Sequence, residues 1–512
     1  MNKKSLRKTK LSQKILCSIL AASVLGITAN FNAAEAADEE ITTNEALKAN
    51  KIAADANDTI TFINAADTAV RGVVMATGGH DITISGYKVL NVYNQAASKP
   101  FEGDGLVSSS ANIIVENVGT VNIGTPERVF NEGGQAIHGF IHTVSLENIG
   151  ELNINSMGSA IMAQNTNLAN EPDKPSVSII TTKEDGSSGN VNINTQGGAG
   201  IAGIMAASIN DKSGIAGVSI NAAGKVSVTA DGHGVQSYDM ANAGYKGEGK
   251  TILQIIGNDG VDVTSNAAMG VNVIRKNKLN DSGLLIESAN GNVNITGKTY
   301  GVYLGSTANL AEAADLEKGI NGNIVGNNVN ITASDNQAIE IINSGTLNVA
   351  SNVENGNITV NANDVAIRVK GDKSVLTIGS EELNNNIIVK GDIKAEDSGT
   401  INLYGNSTFD GEATQFITAN NGTINLAGGT VGGVLNIATG SSVNLNGATF
   451  TADDIANDIT DGGKVVLKDN GVLTTTAGQV FTNGDTTAVN PADASEAVSY
   501  THLRAHETRH DL

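Results

Sequence analysis

The sequence predicts an all-β chain wound as a parallel β-helix, a solenoid of stacked coils, and three observations carry that expectation. The first is a recurring phrase. Residues 291–296 read GNVNIT, and variants begin at Val121, Leu152, Val191, Val226, Val261, Val329 and Ile358. With Val293 included, the steps between first residues are 31, 39, 35, 35, 32, 36 and 29, a loose period that marks stacked repeats. The second is alternation within the phrase. Two aliphatic residues stand two apart, so a strand turns both to one face and Asn, Ser, Thr or Asp to the other. The third is composition: 59 Gly, five Pro, no Trp and 3% aromatics suit short strands joined by tight turns. At 40% apolar and 17% charged, the chain is too apolar to be disordered. Its 512 residues fit a solenoid more easily than one compact core.

A second phrase comes after each first one: Ala160-Ile161-Met162, Ala199-Gly200-Ile201, Gly234-Val235, Gly270-Val271-Asn272-Val273, Gly301-Val302-Tyr303-Leu304, Ala338-Ile339-Glu340-Ile341 and Ala366-Ile367-Arg368-Val369. A third often precedes, as in Ile252-Leu253-Gln254-Ile255 and Leu284-Leu285-Ile286. Each unit is therefore two or three short strands. One unit alone cannot bury its apolar face, but stacked units can. The valines and isoleucines are expected inside and the asparagines stacked outside.

The N-terminus reads as a signal peptide over residues 1–36. Lys3, Lys4, Arg7, Lys8, Lys10 and Lys14 form a basic leader, an apolar run occupies 15–27, and Ala34-Glu35-Ala36 is a cleavage pattern ahead of Ala37. The apolar run is too short for a permanent membrane anchor. Cys17, the one cysteine, lies inside this segment, so the mature chain is expected to hold no disulfide and no cysteine-ligated metal. Removal of the leader leaves 26 basic against 52 acidic residues, a net charge of −26. That balance opposes binding to nucleic acid or anionic lipid.

Along the mature chain, residues 37–58 are expected to be an N-terminal cap or leader, with a short capped helix over 43–54. Residues 59–379 read as a decorated β-solenoid. Its Pro-containing segments 99–103 and 170–175 read as surface loops, and 308–318 (ANLAEAADLEK) as a projecting helix. Such insertions are where partner specificity sits. Residues 380–497 read as a plainer β-solenoid: Ile401-Asn402-Leu403, Ile424-Asn425-Leu426 and Val443-Asn444-Leu445 are only 23 and 19 residues apart. Gly428-Gly429-Thr430 and residues 446–449 (NGAT) read as its turns. Some 15 to 20 coils at ~4.8 Å each would make a rod about 70–100 Å long.

The exported leader, the acidic Asn/Gly/Thr-rich chain, the absence of cysteine after the leader and the "TINL" and "SVNLNG" phrases together resemble the passenger region of bacterial autotransporters. The resemblance covers roughly residues 60–490. It implies a right-handed parallel β-helix carried to the surface of a Gram-negative cell, with the outer membrane reached through a C-terminal barrel that this sequence lacks. It also implies partners among host or bacterial surface ligands. Residues 498–512 differ in composition and hold three of the seven histidines. They match the translation of a transposon-type sequencing adapter and are expected to be an assembly artefact, the alternative being a His-rich metal-binding tail.

Motifs with chemistry are few. Residues 244–251 (GYKGEGKT) satisfy the phosphate-loop pattern, which requires a helix next. Residues 252–256 (ILQII) are instead a β-branched run closed by Gly257, so a chance match is expected. His138 and His142 are four apart in strand-like surroundings without a partner carboxylate, and read as packed or exposed histidines. Asp453-Asp454 and Glu381-Glu382 point to opposite strand faces and make no acid–base pair. Lys370-Gly371-Asp372 and Lys390-Gly391-Asp392 read as turns. No catalytic, cofactor-binding or metal residue is assigned and no cofactor is expected. Two function classes stay open: a surface adhesin or structural rod that works through its loops, and a β-helical polysaccharide lyase or hydrolase. Absent Trp and few arginines favour the first, because sugar-processing grooves use aromatic platforms and clustered Asp and Arg.

Overall fold

The computed structural model describes residues 38–489, apart from 44–51, 54–58, 65–71, 77–80, 94–103, 110, 126–133, 141, 166–174, 209–213, 240–248, 276–280, 307–318, 344, 381, 410–415, 439–440, 456–463, 469–471, 475–479 and 483–486. The expected signal peptide with Ala34, Ala36 and Ala37, the segment 308–318 and the tail 498–512 lie outside the described residues.

Thirty-nine strands join into one hydrogen-bonded system, and among the described residues all but two of its strand pairings are parallel. Each coil gives one segment to each of three ladders. The first ladder rises from Ile52–Ala53 to Lys464–Lys468 in 15 rungs. At ~4.8 Å per rung it spans about 70 Å. The chain is a parallel β-helix.

The recurring phrase forms the second ladder. Val121, Leu152, Val191, Val226, Val261, Val293, Val329 and Ile358 pair rung to rung in unbroken register. Every one of them has 0% exposure. A one-residue slip would turn these side chains out and the asparagines in, so burial itself holds the register. Each buried aliphatic contributes about 1.5–3 kcal/mol.

The asparagines stack outside, as expected. The Asn122 amide donates to Asn91 at 2.9 Å, Asn153 to Asn122 at 3.1 Å and Asn192 to Asn153 at 2.9 Å. Ser227 interrupts the file, which resumes with Asn294 donating to Asp262 and Asn330 to Asn294, both at 2.7 Å. Between the first and second ladders the chain turns a corner at Asn117 and Asn148, with φ of 56° and 55°. Asparagine tolerates this left-handed conformation, and here the two side chains also bond each other at 3.1 Å.

The second phrase forms the third ladder, with one correction. Ala199-Gly200 is a turn, and the strand is Ala202–Ser208, whose Ile204 pairs with Ile161 below and Val235 above. The phrases at Ile401, Ile424 and Val443 continue the first ladder, not the second, through the pairing of Leu376 with Ile401. Gly428 and Gly429 do not end a strand. They bend the continuous strand Thr423–Ile437 at φ of 91° and 90°, where a register shift lets one segment serve several ladders.

The N-terminal helix expected over 43–54 is overturned at both ends. Thr43 closes the strand Asp38–Thr43, which pairs with Thr59–Asn64, and Ile52–Ala53 pairs with Ile84 and Ser85. A parallel ladder offers an unpaired edge at its first rung, and strand pairing satisfies those backbone groups directly. At the other end, Thr487–Val489 and Val480–Thr482 fold back antiparallel on Lys464–Lys468 and Val472–Thr474.

Candidate functional site on the third ladder

Side chains pointing outward from the first and second ladders are half-buried or exposed, as the alternating burial of Val191–Thr195 and Ser442–Asn446 illustrates. The third ladder differs. Its outward column runs in register from His138 through Met162 and Met205 to Gln236, Asn272, Tyr303, Glu340 and Arg368. Gln236 is 7% exposed, Asn272 1% and Glu340 2%. A file of polar groups buried on the outer face of a solenoid is not what core packing needs, which makes it the candidate site.

Its charged end is built from three successive coils. Arg368 Nη1 donates to Glu340 Oε1 at 3.0 Å, while Nε and Nη2 donate to Glu396 Oε2 at 3.0 and 2.9 Å. The Tyr300 hydroxyl donates to the Glu340 carboxylate. The Tyr300 and Tyr303 rings meet edge to face, with centroids 5.4 Å apart. Burial pushes the Glu340 carboxyl above its ordinary range, a shift that Arg368 and Tyr300 only partly oppose. Burial likewise raises both tyrosine hydroxyls, with the Glu340 charge adding to it. The cluster sets a carboxyl, a guanidinium and tyrosine hydroxyls side by side, both donors and acceptors.

Toward the middle of the column, Gln236 Oε1 and Asn272 Oδ1 are buried acceptors that no donor among the described residues meets. At its lower end, His138 has the carboxylate partner that was not expected. Its Nδ1 lies 2.7 Å from Asp104 Oδ2, and the Gln135 N–H donates to Asp104 Oδ1 at 2.7 Å. His138 packs edge-on against Phe140 at 5.2 Å. His142 does not join them through its side chain; its backbone carbonyl accepts from the Ser108 hydroxyl. Among the described residues no group of three or more His, Cys, Asp and Glu could hold a metal ion.

The phosphate-loop match lacks the geometry that motif needs. Residues 244–248 lie outside the described residues, but Gly249, Lys250 and Thr251 open the strand Gly249–Gly257, where a phosphate loop requires a helix. The Thr251 hydroxyl is buried and bonded to Ser237 and Ser282, each at 2.8 Å. The two Lys-Gly-Asp tripeptides occupy different places. Gly371 lies in the turn after the third ladder, whereas Gly391 bends the strand Asn386–Glu396 between the second and third. Asp392 there accepts the Phe416 N–H at 2.9 Å, and burial raises its carboxyl.

Fold and column together define a β-solenoid with a polar seam along one face. No protein-family model matches the chain, and neither curated proteins nor solved structures give a match. Among the described residues no helix is long and apolar enough to cross a membrane.

Proposed function

We propose that the chain is an exported surface rod that binds partners through insertions between its strands, five of them after successive third-ladder strands, as an adhesin or structural surface protein of the autotransporter passenger type. The carrying observation is where the insertions fall. Third-ladder strands ending at Asn165, Ser208, Asp239, Arg275 and Ser306 are each succeeded by an insertion before the next coil's first strand. The connections run to 11, 5, 9, 5 and 13 residues, against 2 between Ile342 and Gly345. Folding needs only the short form, so the extra length serves something other than the stack. The leader of 1–36 and the net charge of −26 support an exported, well-solvated location.

The test replaces each of the five connections by the two-residue form and measures adhesion of the purified chain to host and bacterial cells. Loss of adhesion with unchanged circular dichroism is expected. Full adhesion by the trimmed rod would reject the insertions as the binding element.

A polysaccharide lyase or hydrolase is the second reading, favoured by one observation: the buried Glu340, its carboxyl raised by burial, sits between an arginine and a tyrosine. Turnover of polyuronates or neutral glycans that disappears in Glu340→Gln would establish it in place of the adhesin.

A further inference from the structure

At the lower end of the third-ladder column, His138 holds a ring nitrogen that the fold does not use. Its Nδ1 faces Asp104 Oδ2 at 2.7 Å, and Asp104 Oδ1 accepts the Gln135 N–H at 2.7 Å. A carboxylate that accepts on both oxygens places the ring hydrogen on Nδ1, so Nε2 carries the free lone pair. Nε2 is buried without a partner among the described residues, in a residue only 9% exposed. A buried acceptor left bare in this way calls for a physical reason. The next two rungs of the column hold Met162 and Met205, in register with His138. The chain has seven methionines, and two of them thus follow the histidine directly, at ~4.8 Å per rung. The Gln164 amide donates to the Met162 sulfur at 3.5 Å and fixes where that thioether lies. Met205 is only partly buried, and its three rotatable bonds let the thioether swing aside for a small ion and return over it.

We propose that His138 Nε2 and the sulfurs of Met162 and Met205 form a binding site for one copper(I) ion, with Asp104 orienting the imidazole from behind. One imidazole and two thioethers make a soft, neutral ligand set, which selects copper(I) over zinc, calcium or magnesium. A carboxylate on the far nitrogen is the usual partner of a metal-bound histidine, since it fixes the tautomer and makes the ligating nitrogen more basic. Asp104 also supplies the one negative charge that a monovalent ion needs nearby. Phe140, edge-on to the His138 ring at 5.2 Å, adds an apolar wall. Two of the three ligands being thioethers, the site stands apart from the His, Cys, Asp and Glu groupings that hold harder ions. The inference is independent of the surface-rod reading.

The experiment titrates the full chain, carrying Cys17→Ser to remove its one thiol, with copper(I) held by a chromophoric chelator under reducing conditions. Silver(I) serves as the redox-inert probe for thermal melts. One ion per chain is expected, with sulfur as well as nitrogen in its X-ray absorption shell, and a melting temperature that rises with silver(I). Met162→Leu and Met205→Leu conserve volume and should leave the metal-free melting temperature close to the parent's. Each should weaken copper(I) binding by about tenfold or more, a loss that even an outer-shell partner can bring. The double variant should lose the silver-induced rise altogether. Methionines that serve only as packing would leave binding the same in every variant, which overturns the proposal. A chain that binds no copper(I), or that prefers zinc(II), overturns it too. So does an ion held by nitrogen alone, as His502, His506 and His510 would hold it.

Discussion

At the scale of single residues, Glu340 is a carboxyl whose environment departs from its place in the strand. Ile339 and Ile341 turn inward and Glu340 outward, yet it is 2% exposed and its carboxyl is held above the ordinary range by burial. The folded chain thus keeps this proton to higher pH than the unfolded chain does. The resulting stability is fully present below the unfolded value, about 4.5, and is lost as pH rises through the folded value. Glu340→Gln should therefore flatten the decline in melting temperature on going from acid toward neutral pH, with Arg368 still held by Glu396. Thermal melts of both chains across that window check this, and parallel curves would contradict the assignment. The signal for the pair was present in the sequence: opposite charges occupy the same place in two successive copies, Ala-Ile-Glu-Ile and Ala-Ile-Arg-Val, 28 residues apart. Charge in a strand's outward position is ordinary, so only the burial of that face marks it.

At the scale of the element, the phrase Val293–Gly297 works through both faces. Ile295 is fully buried, between Val263 and Ile331 in neighbouring rungs. Ile295→Ala should cost about 2–5 kcal/mol through lost contacts and the cavity left behind. Ile295→Asp should cost more, since the carboxylate would have no partner in an aliphatic core. Melting temperatures in the order wild type, Ala, Asp are expected, and a wild-type value for Asp would sink the inward assignment. The strand at Ala202–Ser208 begins later than the local spacing suggests. Gly197, Gly198 and Gly200 make Ile201 resemble the start of a second phrase, but Ile204 is the residue that meets Ile161 and Val235. A glycine-rich approach erases the local mark of where a strand begins, and the neighbouring rungs decide it.

At the scale of the whole molecule, stability is a sum over coils and the contacts between them, because each coil touches mainly its neighbours. The surface is strongly acidic, so like charges on successive rungs repel along the rod. Raising salt from about 10 mM to 0.5 M shortens the screening length from about 30 Å to a few ångströms. The melting temperature of the chain should rise over that range, and a fall would mean that ion pairs such as Lys183–Asp259 outweigh the repulsion. At the C-terminal end, the antiparallel returns at Val480–Thr482 and Thr487–Val489 occupy strand edges that a further parallel coil would use.

Alternation is a property of neighbouring residues. The sequence alone therefore determined that the chain is built of strands, which side chains turn inward, and that the asparagines of the phrase face out and stack. Register between coils is a property of residues some 20 to 40 positions apart, and only the tertiary structure decided it. Ile-Asn-Leu looks the same on any ladder, yet the copies at Ile401, Ile424 and Val443 belong to the first while Val-Asn-Ile at Val293 belongs to the second. For the same reason the copies placed Glu340 and Arg368 at equivalent positions, but no pattern in the chain announced that the Glu340 face would be buried, that Tyr300 would join the pair, or that Asp104 would meet His138. Those contacts exist because coils of unequal length bring their third strands into one column, and the length of each connection sets which residues meet.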